Sequence, residues 1–186
     1  IFDPRDGRWR HEQADRGSDS GFTGDRIRTL LRDQQGNIWV GFDGGLALWQ
    51  QATGLFQTFT PDLSNPRSLR DETILELFQD TGGVVWVGTF NGISRFNANV
   101  EKFPLLKVEA QTAQGLTQPS ISSFAEDASG NLWVGTFEGL GLWRPEDSAA
   151  DFLAPQDIGL SGRRVMALGA FEDEVWAGTM VGGLNV

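Results

Sequence analysis

The chain has 186 residues, of which 39% are hydrophobic and 22% charged, so it is long enough and apolar enough to bury a sizeable core. Its formal net charge of -10, without a compensating basic stripe, disfavours nucleic acid as a partner because a phosphate backbone would be repelled. The absence of cysteine excludes disulfides, thiolate nucleophiles and sulfur-ligated metals. Many glycines, tryptophans and phenylalanines suit an all-β fold with tight turns.

The sequence contains no run of about 18 apolar residues and no basic-then-apolar leader. We therefore expect no membrane contact by this segment. The chain begins with Ile1 rather than methionine, which indicates an excised or processed piece of a longer protein. A targeting segment or membrane anchor would then lie outside this sequence.

In chain order, the first feature is a fragment, residues 1–12, that aligns with residues 48–59 and resembles the tail of an earlier repeat. Residues 16–25 have the composition of a connecting loop. A motif ending in Trp-Val-Gly or Trp-Ala-Gly then recurs at intervals of 47, 47 and 43 residues, at Trp39, Trp86, Trp133 and Trp176. Such a period is typical of a propeller, a solenoid or another stacked array.

Each repeat is predicted to form short strands joined by glycine-containing turns. The predicted strands of the first repeat are 27–32, 38–42, 46–50 and 56–60. The second and third repeats give 74–79, 84–89, 93–97, 102–106, 121–126, 132–136, 141–144 and 151–153. The fourth gives 165–170, 175–179 and the start of a third strand at 184–186. The segments before the first strands, 61–73, 107–120 and 154–164, are predicted to be loops rather than helices.

A four-stranded meander of this length cannot bury both faces alone, so neighbouring units must stack on it, as in a β-propeller. A linear β-solenoid is disfavoured because its coils are usually shorter. The sequence predicts one all-β propeller segment over residues 1–186, with four-stranded antiparallel blades and about four repeat-lengths, as a partial or small propeller. The predicted blades are 26–60, 73–106, 120–153 and an incomplete 164–186, after the tail of a preceding blade at 1–12. An open ring would expose a strand edge and favour a homo-oligomer.

Acidic residues stand six positions before three of the repeated tryptophans, with a glycine between them. A calcium site would need six to eight converging oxygen ligands, whereas these carboxylates belong to separate blades. We therefore interpret them as turn residues that accept backbone N–H groups beside a glycine with positive φ. The acidic residues and glycines are Asp33, Asp80, Asp127, Gly36, Gly83 and Gly130. The tryptophans are interpreted as core residues between blades, because they recur in every repeat.

The pattern Asp-x-x-Gly-Asn-Ile-Trp-Val-Gly followed by Asp-Gly-Gly-Leu and an aromatic residue closely resembles the two-component regulator propeller repeat. Residues 27–49 match throughout, residues 74–96 and 121–143 match with Gly92 and Gly139 single rather than paired, and residues 165–186 match in part. The resemblance implies a propeller outside the inner membrane, ahead of a β-sandwich, a membrane helix and a cytoplasmic histidine kinase or diguanylate cyclase. It therefore predicts a periplasmic sensor segment.

Two other functions were weighed, a protein-interaction scaffold and a glycan-processing enzyme. The Asp turn is similar to the Asp-box of sialidase propellers, but its Asp-to-Gly spacing is one residue longer and no threonine precedes the tryptophan. The single histidine, His11, leaves almost no material for a serine triad or a multi-histidine metal site. We expect no catalytic residue, no metal and no cofactor in this segment, and so no enzyme.

A ligand site is predicted on the propeller face formed by the loops between second and third strands and by the connections between blades. Its aromatic, amide and charged groups suit a small-molecule or oligosaccharide ligand. The predicted residues are Phe42, Asp43, Arg70, Phe90, Asn91, Phe137, Glu138 and Met180. The competing interpretation is that Phe90 and Phe137 only pack against neighbouring loops.

Overall fold

The computed structural model describes residues 2–9, 26–62, 64–65, 68–96, 105–106, 120–145, 151–172 and 174–186. The regular structure in these residues is built from antiparallel sheets in which strands that follow one another in the chain are hydrogen-bonded neighbours. The predicted all-β fold with antiparallel blades is confirmed.

The first two strands form a short ladder, and the following fifteen form four sheets. The ladder is β1 (Phe2–Asp3) with β2 (Arg8–Trp9). Blade 1 contains β3 (Ile27–Arg32), β4 (Ile38–Phe42), β5 (Gly45–Trp49) and β6 (Phe56–Phe59). Blade 2 contains β7 (Ile74–Gln79), β8 (Val85–Thr89), β9 (Gly92–Phe96) and β10 (Leu105–Leu106).

Blade 3 contains β11 (Ile121–Glu126), β12 (Leu132–Thr136), β13 (Leu140–Trp143) and β14 (Asp151–Leu153). Blade 4 contains β15 (Val165–Phe171), β16 (Glu174–Thr179) and β17 (Gly183–Asn185). These strands agree with the predicted ones to within a few residues. The assignment of residues 1–12 to an earlier blade stays a prediction.

The prediction of a loop over residues 154–164 is wrong for four residues, which form the helical turn α1 (Pro155–Ile158). Proline has the φ angle of a helix and needs no hydrogen-bond partner for its nitrogen in the first turn. Gly159 ends the turn at φ 71°, and its N–H donates to the carbonyl of Pro155. Of the loop predicted at 107–120, all but Ser120 lies outside the described residues.

The first strand of every blade carries a one-residue irregularity at the same place, after Ile27, Ile74, Ile121 and Val165. This shared register aligns the four blades residue by residue. The aligned residues pack across the blade interfaces. A methyl group on Gly41 would stand 2.6 Å from Cγ2 of Ile74, and one on Gly88 would stand 2.7 Å from Cγ2 of Ile121.

The repeated glycine therefore admits the first-strand residue of the next blade, which explains the close approach expected from the sequence. Ile74 and Ile121 are fully buried by this contact, whereas Ile27 in blade 1 is 45% exposed. Gly178 in blade 4 has no atom closer than 3.8 Å to an added methyl group.

Trp39 and Trp86 lie in the interfaces that blades 1 and 2 form with the next blade, and each is 1% exposed. Trp39 packs edge-on against Phe96 of blade 2, with the ring centroids 4.9 Å apart, and Trp86 packs against Trp143 of blade 3 at 5.1 Å. Trp133 is partly buried against the cluster of Leu140, Val165 and Ala177. The interpretation of these tryptophans as core residues is confirmed for blades 1 and 2, and Trp133 and Trp176 are partly buried.

Candidate functional site

The acidic turn residues are bound by N–H groups of their own hairpins. Oδ1 of Asp33 accepts hydrogen bonds from the backbone N–H groups of Gln35 and Asn37, at 3.0 and 2.8 Å. Its Oδ2 accepts the side-chain amide of Asn37 and the indole N–H of Trp39, both at 3.0 Å. A carboxylate has about four lone-pair sites, so these four bonds saturate it. The turn interpretation is confirmed.

The bond from the carboxylate to the tryptophan indole was missed by the sequence analysis. It recurs from Trp86 to Asp80 at 2.8 Å and from Trp133 to Asp127 at 2.9 Å. Burial alone would raise the pKa of Asp127, but hydrogen bonds from Trp133 and Asn131 outweigh it and lower that pKa. In the described residues no group of three or more His, Cys, Asp or Glu side chains could hold a metal ion.

The fourth repeat keeps the tryptophan bond by a different route. It lacks the Asp-x-x-Gly turn, and the indole N–H of Trp176 instead donates to Oε2 of Glu174 at 3.0 Å. In this shorter turn Glu172 has a positive φ of 54°. A buried or half-buried indole N–H therefore has a carboxylate acceptor in all four repeats.

Among the predicted ligand residues, Phe42 is fully buried and packs with Val40 and Ala47, so its placement on the ligand-binding face is corrected. The pairing register gives the physical reason. Phe42 pairs with Ile27, the residue at the irregularity of β3. Thr89 pairs with Ile74 at the same point of β7, so Thr89 is the equivalent of Phe42 in blade 2. Phe90 is therefore equivalent to Asp43, and a shift of one residue along a strand places a side chain on the opposite face.

The predicted residues other than Phe42 and Arg70 lie at the β4–β5, β8–β9, β12–β13 and β16–β17 connections, which together we call the loop face. Asp43 accepts hydrogen bonds from Arg28, and these lower its pKa. Phe90 is 40% exposed and has the guanidinium carbon of the same arginine 5.9 Å from its ring centroid. Arg28 thus connects the loop faces of blades 1 and 2.

A similar arrangement connects blades 3 and 4. The guanidinium carbon of Arg164 lies 4.8 Å from the ring centroid of Phe137, and its Nη1 lies 3.5 Å from Sδ of Met180. Glu138 pairs with Arg163. The sequence analysis missed these arginines, although Arg28 was a visible signal because blades 2 and 3 have Leu75 and Ser122 at its position.

Of the remaining predicted residues, Arg70 and Asn91 are exposed. The backbone N–H of Asn91 donates to the hydroxyl of Thr89 at 3.1 Å. Arginine contacts thus cover part of Phe90 and Phe137, which favours packing between blades over a role in ligand binding for these rings. Ligand binding at the loop face stays a prediction.

A cleft of about 270 Å³ lies at the opposite end of the blades, between blades 1 and 2. It is bounded by the β3–β4, β5–β6 and β7–β8 turns, and five amide side chains contribute to its walls. We call it the amide cleft. Its lining residues are Asp33, Gln35, Asn37, Trp39, Leu48, Gln50, Ala52, Gln57, Gln79, Gly83, Val85 and Phe96.

Two of the amides in this cleft are held by the protein. Gln79 accepts the backbone N–H of Gln34 at 2.8 Å and donates to the carbonyl of Gly83 at 3.0 Å. Asn37 donates to Asp33 and accepts the backbone N–H of Gln51. Within the described part of the chain, the amides of Gln35 and Gln57 and the amide nitrogen of Gln50 have no protein partner. These groups are available to a ligand.

The amide lining belongs to this one interface. Register alignment places Gly82 of blade 2 and Glu126 of blade 3 at the positions of Gln35 and Gln79. The cleft is not predicted by the repeat pattern, because these glutamines do not recur from blade to blade. Glutamines confined to one repeat were the signal that could have found it.

Successive four-stranded sheets that pack through a central tryptophan and a glycine contact define the chain as a β-propeller segment. Residues 21–44 and 115–138 match the model of the two-component regulator propeller. The matches in these two segments confirm the resemblance seen in the sequence.

Several solved structures share the fold. The extracellular domain of the putative hybrid two component system BT4673 from B. thetaiotaomicron is 22% identical, with a TM-score of 0.66 over 85% of this chain and 21% of that one. The corresponding domain of BT3049 is 16% identical, with a TM-score of 0.54 over 94% and 28%. PorZ of Porphyromonas gingivalis, a component of the type-IX secretion system, is 16% identical, with a TM-score of 0.67 over 98% and 28%.

The chain spans 21–28% of the length of these structures. A search of curated protein sequences found no match. At these identities the structural likeness establishes the fold. In the described residues, no helix is long and apolar enough to cross a membrane.

Proposed function

We propose that the chain is a non-catalytic, ligand- or partner-sensing propeller segment of a membrane-bound bacterial signalling receptor with a histidine kinase or diguanylate cyclase output. The observation that supports this most is the match of residues 21–44 and 115–138 to the two-component regulator propeller. The likeness to extracellular domains of hybrid two-component systems points the same way and supports a periplasmic location.

The polar groups of the described residues support a binding role over a catalytic one. The turn carboxylates accept hydrogen bonds from their own hairpins, and the loop-face carboxylates Asp43 and Glu138 are paired with arginines. A glycosidase needs two carboxylates that converge on one bond. A sensing segment needs only a site whose occupation favours one arrangement of the blades.

The proposal is tested by a thermal-shift screen of the intact extracellular region against oligosaccharides, amino acids and other small metabolites, with product analysis of every hit. A ligand that binds only the native state stabilises it by about 2.7 kcal/mol at 100 times its Kd. A concentration-dependent shift without turnover supports the sensing function. Turnover of a glycan would instead indicate an enzyme, and no shift across the screen would favour a protein-interaction scaffold.

For the isolated chain we propose self-association, because apolar residues of its first and last described blades are exposed. Leu184 is 62% exposed, whereas its equivalents Leu46 and Ile93 are buried by the next blade. Ile27 and Leu30 are exposed at the other end. Light scattering of the purified chain over a concentration series measures this directly, and a mass that stays monomeric would exclude a homo-oligomer.

A further inference from the structure

We propose that the amide cleft between blades 1 and 2 is the ligand site of this segment, and that it binds a small neutral polyhydroxyl ligand, such as one or two sugar units. The inference rests on the proposed function, because it identifies the site and the ligand class of a sensing segment. It places the ligand at the end of the blades opposite to the loop face.

The hydrogen-bonding groups of the cleft match hydroxyl groups. A side-chain amide carries one acceptor oxygen and two donor hydrogens, so it can bond a hydroxyl group in either direction. Gln35 and Gln57 present such amides without a protein partner in the described residues, and Gln50 adds an amide nitrogen. Gln79 is fixed by two hydrogen bonds and supplies a preorganised wall.

The charge of the cleft favours a neutral ligand over an ion. Asp33 is the one charged residue among those that line the cleft, and its carboxylate is saturated by four N–H groups. A cation would therefore find no unoccupied carboxylate oxygen. The described residues that line the cleft include no lysine or arginine, so they offer an anion no counter-charge.

The apolar part of the lining and the size of the cleft fit the same ligand class. Phe96 is half-buried and is held edge-on by Trp39, which gives a fixed apolar surface for the C–H groups of a sugar ring. The volume of about 270 Å³ is just below the range of roughly 300–1,000 Å³ of small-molecule sites. One or two sugar units suit this space.

The position of the cleft gives the ligand a way to act on the arrangement of the blades. Gln35, Gln50 and Gln57 belong to blade 1, whereas Gln79 and Phe96 belong to blade 2. A ligand that contacts both blades binds best at one spacing between them, so its binding free energy shifts the population toward that spacing. The repeated Asp–Trp turns, by contrast, bond within single blades.

The test measures binding of maltose, cellobiose and N,N′-diacetylchitobiose to the full chain by saturation-transfer NMR and calorimetry. The variant is the double substitution Gln35→Leu with Gln57→Leu, at two exposed positions whose replacement preserves the fold. Gln156→Leu is the matched control, because Gln156 is an exposed glutamine on α1 outside the cleft. Circular dichroism and the melting temperature verify folding of all three proteins.

We expect one of the disaccharides to bind the original chain, the double variant to bind it at least tenfold more weakly, and the control to be unchanged. Equal binding by the double variant would overturn the site while leaving the sensing function standing. Tighter binding of cellobionic acid than of cellobiose would overturn the neutral ligand class. If none of the three disaccharides bound, this inference would fail, and the thermal-shift screen would still decide the sensing function.

Discussion

Two interfaces can be compared, that between blades 1 and 2 and that between blades 2 and 3. They share the same central contacts but differ at the end of the blades opposite to the loop face. In both, a glycine admits an isoleucine of the next blade, and a carboxylate holds the central tryptophan. Between blades 2 and 3, Trp143 packs against Trp86, and Glu126 accepts two hydrogen bonds from Thr81. Between blades 1 and 2, Gln34 donates its backbone N–H to Gln79 and its side-chain amide to the carbonyl of Asp80, and the amide cleft lies beside these bonds.

This comparison distinguishes contacts that the fold requires from side chains that it does not require. Contacts that recur at both interfaces hold the blades together, because every blade must bury its face against the next. Groups present at only one interface are not needed for that purpose. The interface between blades 2 and 3 is therefore the reference against which the amide cleft is compared.

The largest expected effect on stability comes from removing Trp86, at the centre of the interface between blades 2 and 3. Trp86→Ala should lower the free energy of unfolding by about 3–5 kcal/mol, because it empties a fully buried site and leaves Asp80 without its indole partner. Urea denaturation measures the loss. The control Trp9→Ala removes a residue that is 78% exposed and should cost less than about 0.5 kcal/mol; equal losses would contradict the core role of Trp86.

The second expected effect concerns the glycine contact between blades. Gly88→Ala should cost about 1–3 kcal/mol, because the added methyl group would stand 2.7 Å from Ile121. Gly178→Ala is the matched control, since its nearest neighbours are 3.8 Å away, and it should change stability by less than about 0.5 kcal/mol. Thermal unfolding compares the two, and a larger loss for Gly178→Ala would show that the contact is not what constrains Gly88.

A smaller effect on stability is expected where blades 2 and 3 meet at the end opposite to the loop face. Glu126→Gln should cost about 1 kcal/mol, because it weakens charge-assisted bonds from the N–H and hydroxyl groups of Thr81 in a solvent-exposed place. Denaturant unfolding gives the value, and Thr81→Val should show that the two residues are coupled in a double-mutant cycle. Strictly additive effects would mean that this link contributes nothing across the interface.

The smallest expected effect is a pH dependence that differs between the two interfaces. Burial raises the pKa of Glu76, although a hydrogen bond from Thr29 of blade 1 opposes it, and the equivalent residue in blade 3 is Ser123. A carboxyl group whose folded pKa is raised stabilises the fold below its unfolded pKa of about 4.3, and this stability is lost as pH rises through the folded pKa. Glu76→Gln should therefore be more stable than the original chain at pH 7, with the difference vanishing near pH 3.

Asp43 and Asp127 act in the opposite direction, because their folded pKa values are lowered. Their stabilising contribution is present above about pH 3.9 and is lost as pH falls through the folded pKa values. Unfolding measured between pH 3 and pH 7 resolves the two trends. An advantage of Glu76→Gln that grew toward low pH would contradict the assignment.

Most of the fold could be predicted from the sequence because local patterns repeat. Each repeat contains three local signals a few residues apart: strand periodicity, the Asp-x-x-Gly turn and the Trp-Val-Gly motif. Each signal recurs three or four times. The hydrogen bond that the indole of Trp39 donates to Asp33 could not be read this way, since it depends on how the folded turn orients the two side chains. The position of Phe42 was missed because it aligns with Thr89 rather than with Phe90, and only the pairing register shows this.

The candidate site was less predictable for a physical reason. The loop-face residues were chosen by position along each repeat, but their arginine partners come from other strands and loops. The amide cleft combines residues from four segments of two blades, so no single stretch of sequence contains it.

The most direct test of the central claim is amide hydrogen exchange of the full chain with and without the disaccharide that binds it. We predict slower exchange on binding in the turns around residues 33–37 and 79–83, which border the amide cleft, and no change at residues 90–91 and 137–138 of the loop face. Slower exchange confined to the loop face would contradict the account and return the ligand site to the residues chosen from the sequence.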